Sequence, residues 1–231
     1  MTEDKNRLDK LLSSSVQLSR SDIKKLIYRG QVCVNGLVVK DPKAKVSHDA
    51  TVCVNGEQVK LFRRCVLIMN KPRGYVTSTD DPSSPTVMEL IPQQYRNLKV
   101  LPVGRLDKDT ESLLVFTNDG DLIHRLISPK SGIRKKYYAE FEGSVSNDCT
   151  DNFKNGITLK DGTLCKPAVF EKVNESSCYV TVTEGMYHQV RRMMASQNLH
   201  VTYLKRVSEY SIELGDLEPG HVKEIELSAN I

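Results

Sequence analysis

Between two apolar stretches the chain places Gly104-Arg105-Leu106-Asp107-Lys108-Asp109-Thr110, a charged run bounded by Val103 and by Leu113-Leu114-Val115-Phe116. An aspartate set between Arg105 and Lys108 keeps its charge, because neighbouring cations favour the carboxylate, and an ionised carboxylate can act as a nucleophile. Asp107 is therefore the leading candidate for chemistry. The same residue would also suit a chain without chemistry, as a turn cap or the partner of a cation. Asp109 lies on the same side of an extended segment and invites a paired-carboxylate glycosidase reading. The two acids stand too close for that, and the chain has no tryptophan to stack on a sugar.

Other polar groups stand at element ends. Lys71 and Arg73 lie in Asn70-Lys71-Pro72-Arg73-Gly74, the turn that leaves the apolar run Val66-Leu67-Ile68-Met69. Lys135-Lys136-Tyr137 opens an alternating strand. His188, Gln189, Arg191 and Arg192 fall in a segment that reads as a helix over residues 188–198, where Arg191 and Arg192 diverge by about 100°. At most one of the two arginines is expected to face a shared pocket. A lone histidine is more often a hydrogen-bonded scaffold residue than an acid or base, and His188 is read so.

The elements that must hold these groups are legible from periodicity and punctuation. Thr86-Val87-Met88-Glu89 is a capping box opening a short helix that Pro92 halts. Residues 113–117 form a strand closed by Asn118-Asp119-Gly120, and Leu122, Ile123, Leu126 and Ile127 make a helical stripe ending near Pro129. Further strands are expected over residues 137–141 and 179–183. Strands without regular helix alternation imply a mainly antiparallel α+β domain.

The first sixty residues have a different texture. Apolar positions in residues 8–12 have helical spacing, and Ser19-Arg20-Ser21-Asp22 starts a second helix that stops at Gly30. Arg20, Lys24 and Lys25 occupy the side away from its apolar stripe. Val32-Cys33-Val34-Asn35-Gly36 then recurs as Val52-Cys53-Val54-Asn55-Gly56, two strands each running into Asn-Gly, a strong hairpin signal. This segment carries eleven lysines and arginines against seven acids, whereas residues 209–231 carry one against six. A basic excess in the first segment suits attraction to polyphosphate.

Composition excludes several classes. A length of 231 residues with 39% hydrophobic and 27% charged side chains describes a globular chain of one large domain, or a large and a small one. No apolar run approaches the ~18 residues of a membrane span, and the start lacks the layout of a signal peptide. A cytoplasmic protein without a membrane role is expected. The six cysteines show no Cys-x-x-Cys pair or histidine at metal spacing, and no glycine-rich phosphate loop occurs, so neither a metal nor a nucleotide cofactor is implied.

Two resemblances cover nearly the whole chain. Residues 7–59, from Arg7-Leu8-Asp9-Lys10-Leu11-Leu12 through Ser19-Arg20 to Gly30-Gln31-Val32-Cys33-Val34-Asn35-Gly36, resemble the small RNA-binding module first known from ribosomal protein S-four. Gly104-Arg105-Leu106-Asp107, with Thr110, Leu113-Leu114 and Thr117-Asn118-Asp119-Gly120, is similar to the catalytic signature of pseudouridine synthases of the RsuA type. Asn70-Lys71-Pro72-Arg73-Gly74, Lys135-Lys136-Tyr137 and Glu184-Gly185-Met186-Tyr187-His188-Gln189-Val190-Arg191-Arg192-Met193 match in order. Ser112 departs from the glycine usual there. Ser78-Thr79-Asp80-Asp81-Pro82 and Pro85-Thr86-Val87 resemble the branch acting on small-subunit ribosomal RNA.

The resemblance implies an α+β RNA-binding module at residues 1–60, a linker at 61–64, and a mainly antiparallel mixed-sheet catalytic domain with flanking helices at 65–231. It implies conversion of one uridine of small-subunit (16S) ribosomal RNA to pseudouridine by a cofactor-free monomer. In the catalytic set, Asp107 attacks the uridine, Tyr137 packs on the target base, and Arg191 pairs with Asp107. Arg105, Lys71, Arg73, Lys135, Arg192, Arg20, Lys24 and Lys25 would meet RNA, with Arg105 helping to displace the target from its stack. The competing readings are the same reaction on large-subunit (23S) RNA and a non-catalytic RNA-binding assembly factor.

Overall fold

The structure, a computed structural model, describes residues 5–16, 18–128 and 131–226. Contacts divide the chain into two compact units, one ending at Arg64 and the other beginning at Cys65.

In the first unit, β1 (Lys5–Arg7) pairs antiparallel with β4 (Lys45–Ser47), and β2 (Val32–Val34), β3 (Leu37–Val38), β5 (Val52–Val54) and β6 (Glu57–Val59) form a sheet in the order β3-β2-β5-β6. The Asn-Gly repeats make both hairpin turns. Asn35 and Gly36 sit at φ 50° and 81°, Asn55 and Gly56 at 53° and 85°, the left-handed pairs that match strand twist. Helices α1 (Leu8–Ser15) and α2 (Arg20–Tyr28) pack Leu8, Leu11, Leu12, Ile23 and Ile27 against Val32, Val46 and Val52. Ser19 caps α2 by accepting from the amide of Asp22 at 3.2 Å.

The second unit is built on β7 (Val66–Lys71), β8 (Leu101–Pro102), β9 (Glu111–Thr117), β10 (Lys135–Glu142), β11 (Val169–Lys172), β12 (Ser177–Val182), β13 (His200–Glu209), β14 (Ile212–Glu213) and β15 (Val222–Glu224). They form one sheet along the order β11-β12-β10-β13-β9-β7-β15, with β14 on β13 and β8 on β9. Only β13 and β9 run parallel among these described pairs. The unbroken apolar runs of β7 and β9 have a physical cause. Ile68, Leu113 and Val115 enter a core with Leu122 and Leu126 of α4 (Gly120–Ile127), whereas Leu67, Met69, Leu114 and Phe116 enter another with Val87, Ile91 and Val100. Strands buried on both faces lose the polar alternation.

A third core packs α5 (Cys149–Asn155) and α6 (Gln189–Ser196) on β10, β12 and β13 through Phe153, Met193, Phe141, Val180 and Leu204. The capping box at Thr86 is present but opens a 3₁₀ turn, Val87–Leu90, and Pro92 precedes the four-residue α3 (Gln93–Arg96). Helix α4 stops at Ile127 with Ser128 as its C-cap, as the punctuation predicts, while Pro129 itself lies outside the described residues. The acidic end is partly structural, because β15 forms a sheet edge on β7. Among the described residues no helix is long and apolar enough to cross a membrane.

Candidate active site

A cleft of about 1230 Å³ in the second unit is lined by Asp107, Tyr137, His188, Arg206 and Glu209, with Arg73, Arg105 and Lys135 also on its walls. Asp107 stands in the loop of residues 104–110 between β8 and β9, where Gly104 takes a φ of 79°. That loop is clamped from β7 and the turn after it. The wholly buried Lys71 donates from Nζ to the carbonyl of Thr110 at 3.0 Å, and that of Pro72 at 3.1 Å. The amide of Gly74 donates to Lys108 O at 2.8 Å. Thr77 Oγ1 accepts from the amide of Leu106 and donates to its carbonyl, both at 3.1 Å. Burial pulls the Lys71 ammonium down to about 8, against the attraction of Asp109 and Asp107. Lys71 is thus a buried clamp of the Asp107 loop and not the RNA contact that the resemblance implied.

The expected Asp107–Arg191 pair is replaced by a different pairing. Arg191 Nη2 lies 3.0 Å from Asp109 Oδ2, and its Nη1 donates to Val201 O at 3.1 Å. Asp107 Oδ1 instead meets His188 Nε2 at 3.3 Å. Both side chains come from the start of α6: His188 stands at its N-cap with left-handed φ 48° and ψ 33°, and Arg191 lies in its first turn. Gln189 supports the loop that leads into it, accepting from the amide of Met186 at 3.1 Å and donating to Glu184 at 3.0 Å. His188 has a closer part in the site than a scaffold. Arg192, expected at phosphate, pairs with Asp161.

Tyr137 enters the cleft from β10 beside a buried polar row that the sequence did not announce. Arg206 donates from Nε and Nη2 to Leu113 O at 2.9 and 2.8 Å and stands 3.2 Å from Glu209, which lies 3.9 Å from Lys135. Burial pushes the Tyr137 hydroxyl up, with the nearby Arg206 cation opposing it. Burial likewise lowers the Lys135 ammonium, against the pull of Glu209. Ser112 is buried in register with both Lys71 and Arg206. Arg105 and Lys108 are exposed beside Asp107, and Arg73 covers the ring of Tyr203 at 4.9 Å.

Signals for Arg206 and Glu209 existed only in part. Residues 200–209 carry the valines and tyrosine of a strand, but an arginine and a glutamate in such a run read as solvent-facing. In the first unit, Arg20 is a structural partner of the buried Asp9, at 3.0 Å, which Arg7 also meets at 2.8 Å. Lys25 is turned to Asp22 at 2.9 Å, and Lys24 is half-buried on the same helix.

This arrangement sets an aspartate in a clamped loop, a half-buried tyrosine and flanking cations around one cleft. It suits nucleophilic attack on a neutral ring held by stacking, within reach of an anionic backbone. Residues 65–196 match the family described as RNA pseudouridylate synthase, and residues 6–52 match the S4 domain. The chain is 39% identical to "Uncharacterized RNA pseudouridine synthase YtzG" of Bacillus subtilis (strain 168), over 95% of this chain and 94% of that one. It is 35% identical to "Ribosomal small subunit pseudouridine synthase A" of Escherichia coli (strain K12), over 94% of this chain and 95% of that one. A solved pseudouridylate synthase superposes with TM-score 0.67 at 31% identity, covering 96% of each chain. Since the matched segment contains both the Asp107 loop and the Tyr137 strand, and its relatives align almost end to end, the chain belongs to the RNA pseudouridylate synthase family.

Proposed function

We propose that this enzyme converts a uridine of small-subunit ribosomal RNA to pseudouridine, with Asp107 as the nucleophile. The observation that carries the chemistry is the position of Asp107, on the cleft wall in a loop held by Lys71, Gly74 and Thr77. The RNA class rests on similarity along nearly the whole chain to an enzyme named for the ribosomal small subunit.

The isomerisation exchanges the N1–C1′ bond of uridine for a C5–C1′ bond. The C5 proton leaves to solvent and N1 takes one up, so the reaction has no redox change and needs no cofactor. Asp107 attacks the nucleotide as the N1–C1′ bond breaks, the base rotates, and C5 joins C1′ as the bond to Asp107 breaks and its carboxylate is restored. Tyr137 packs on the base, and burial pushes its hydroxyl up. Arg191 acts through Asp109 to hold the far end of the loop, which makes it a positioning residue. Arg105, Arg73 and Lys135 line the cleft where phosphates would pass. Residues 1–60 recruit RNA, with the exposed Lys25 and the half-buried Lys24 on α2, residues 61–64 link, and residues 65–231 catalyse. The reading places a monomer in the cytoplasm, with assembling ribosomal RNA.

The test is tritium release from ribosomal RNA labelled at uridine C5, with small- and large-subunit RNA offered separately. Release from small-subunit RNA supports the reading. Release from large-subunit RNA alone overturns the substrate class, and tight binding without release from either favours an assembly factor.

A further inference from the structure

Tyr187 is an exposed aromatic residue on the wall of the catalytic cleft. Its side chain is 75% exposed, although large apolar rings are normally withdrawn from water. It does not stand alone. Its ring stacks on the imidazole of His188, with centroids 3.9 Å apart and planes 15° from parallel. Consecutive side chains on extended backbone point apart. The left-handed φ of 48° at His188 accompanies this stacked arrangement of neighbours.

The stack is tied to the nucleophile. His188 Nε2 lies 3.3 Å from Asp107 Oδ1, so the imidazole that Tyr187 covers on its face meets the nucleophile at its edge. One face of Tyr187 is covered by His188. A flat ring laid on the other face would stack on the wall of the same cleft, beside the imidazole that meets Asp107. An extruded target base loses its stacking neighbours at a cost of a few kcal/mol, and a protein ring that receives the neighbouring base recovers part of that. An uncharged ring at this place recognises a π-face and not a phosphate, so the ligand class is a nucleobase, with little preference for which one.

We propose that Tyr187, braced by His188, is a stacking platform for the nucleobase adjacent to the uridine that Asp107 attacks. The proposal rests on the reading of function given above and makes Tyr187 a positioning residue.

The chain contains no tryptophan, so Tyr187→Trp in the full-length protein creates a single indole reporter. The probes are hexauridylate and the same hexamer with its bases removed. The platform requires hexauridylate to quench the indole by about half or more at saturation and the abasic hexamer to leave it nearly unchanged, since stacking needs the base. Leu164→Trp, at an exposed position off the cleft wall, should respond to neither probe. Equal responses of the Tyr187→Trp variant to the two hexamers, or no response to either, overturn the proposal.

Kinetics on the labelled RNA give a second readout. Tyr187→Ala should raise KM about tenfold and leave kcat within about threefold, with Tyr187→Phe restoring the natural KM, because stacking uses the ring and not the hydroxyl. Loss in kcat alone, or no rescue by phenylalanine, overturns the proposal. If the natural protein releases no tritium, the assigned reaction fails while the fluorescence still decides the platform.

Discussion

The Nζ of Lys71 lies 3.0 Å from the carbonyl oxygen of Thr110, so a buried cation at the end of β7 holds the loop that presents Asp107. Lys71→Met leaves loop carbonyls without their donor and should cost about 1–3 kcal/mol of stability, with a larger loss of turnover than of RNA affinity. The folded Lys71 value of about 8 lies below its ordinary 10.5. Between those pH values the unfolded chain binds more protons, so the contribution of Lys71 to stability rises with pH across that window. Urea unfolding at pH 8 and pH 10 should show the natural protein gaining on Lys71→Met. A gap that shrinks over that range contradicts the assignment.

Asp9 makes a comparable prediction for the first unit. Burial raises its carboxyl, but Arg7 and Arg20 outweigh that and hold it well below the usual carboxylate range. Asp9→Asn should cost about 2–3 kcal/mol, less than a fully enclosed pair because both guanidinium groups reach solvent. The contribution is present above the ordinary value of 3.8 and is lost as pH falls below it. Amide hydrogen exchange in α1 and α2 of the full chain should accelerate in the variant at neutral pH, and the advantage of the natural protein should fade on acidification.

Arg191 offers a choice between two carboxylates. A double-mutant cycle of Arg191→Lys with Asp109→Asn should show coupling of about 0.5–1 kcal/mol, kept modest because the Asp109 side chain is 65% exposed. The cycle with Asp107→Asn should show less. Stronger coupling to Asp107 in the free protein would contradict the observed pairing.

The parts legible in the sequence are those written in local chemistry. Asn35-Gly36 and Asn55-Gly56 encode their turns, Ser19 encodes the start of α2, and the ordered motifs place Asp107 and Tyr137 on one cleft. What stayed hidden depends on distant partners. Lys71 looks like any turn cation until Thr110, thirty-nine residues away, supplies its carbonyl. Arg206 and Glu209 read as a solvent-facing strand end, because nothing in their spacing records that Leu113 O will satisfy the guanidinium. The partner of Arg191 was misread for a simpler reason. Asp107 and Asp109 share one short loop two residues apart, and spacing alone does not record which of them meets His188 and which Arg191.

The most direct test of the central claim compares the natural protein with Asp107→Asn for tritium release from C5-labelled small-subunit ribosomal RNA, with filter binding of both. The carboxamide keeps the shape of the side chain and removes the nucleophile, so release should fall by a factor on the order of a thousand or more while affinity stays within about threefold. Release at a comparable rate from Asp107→Asn would show that another group performs the attack.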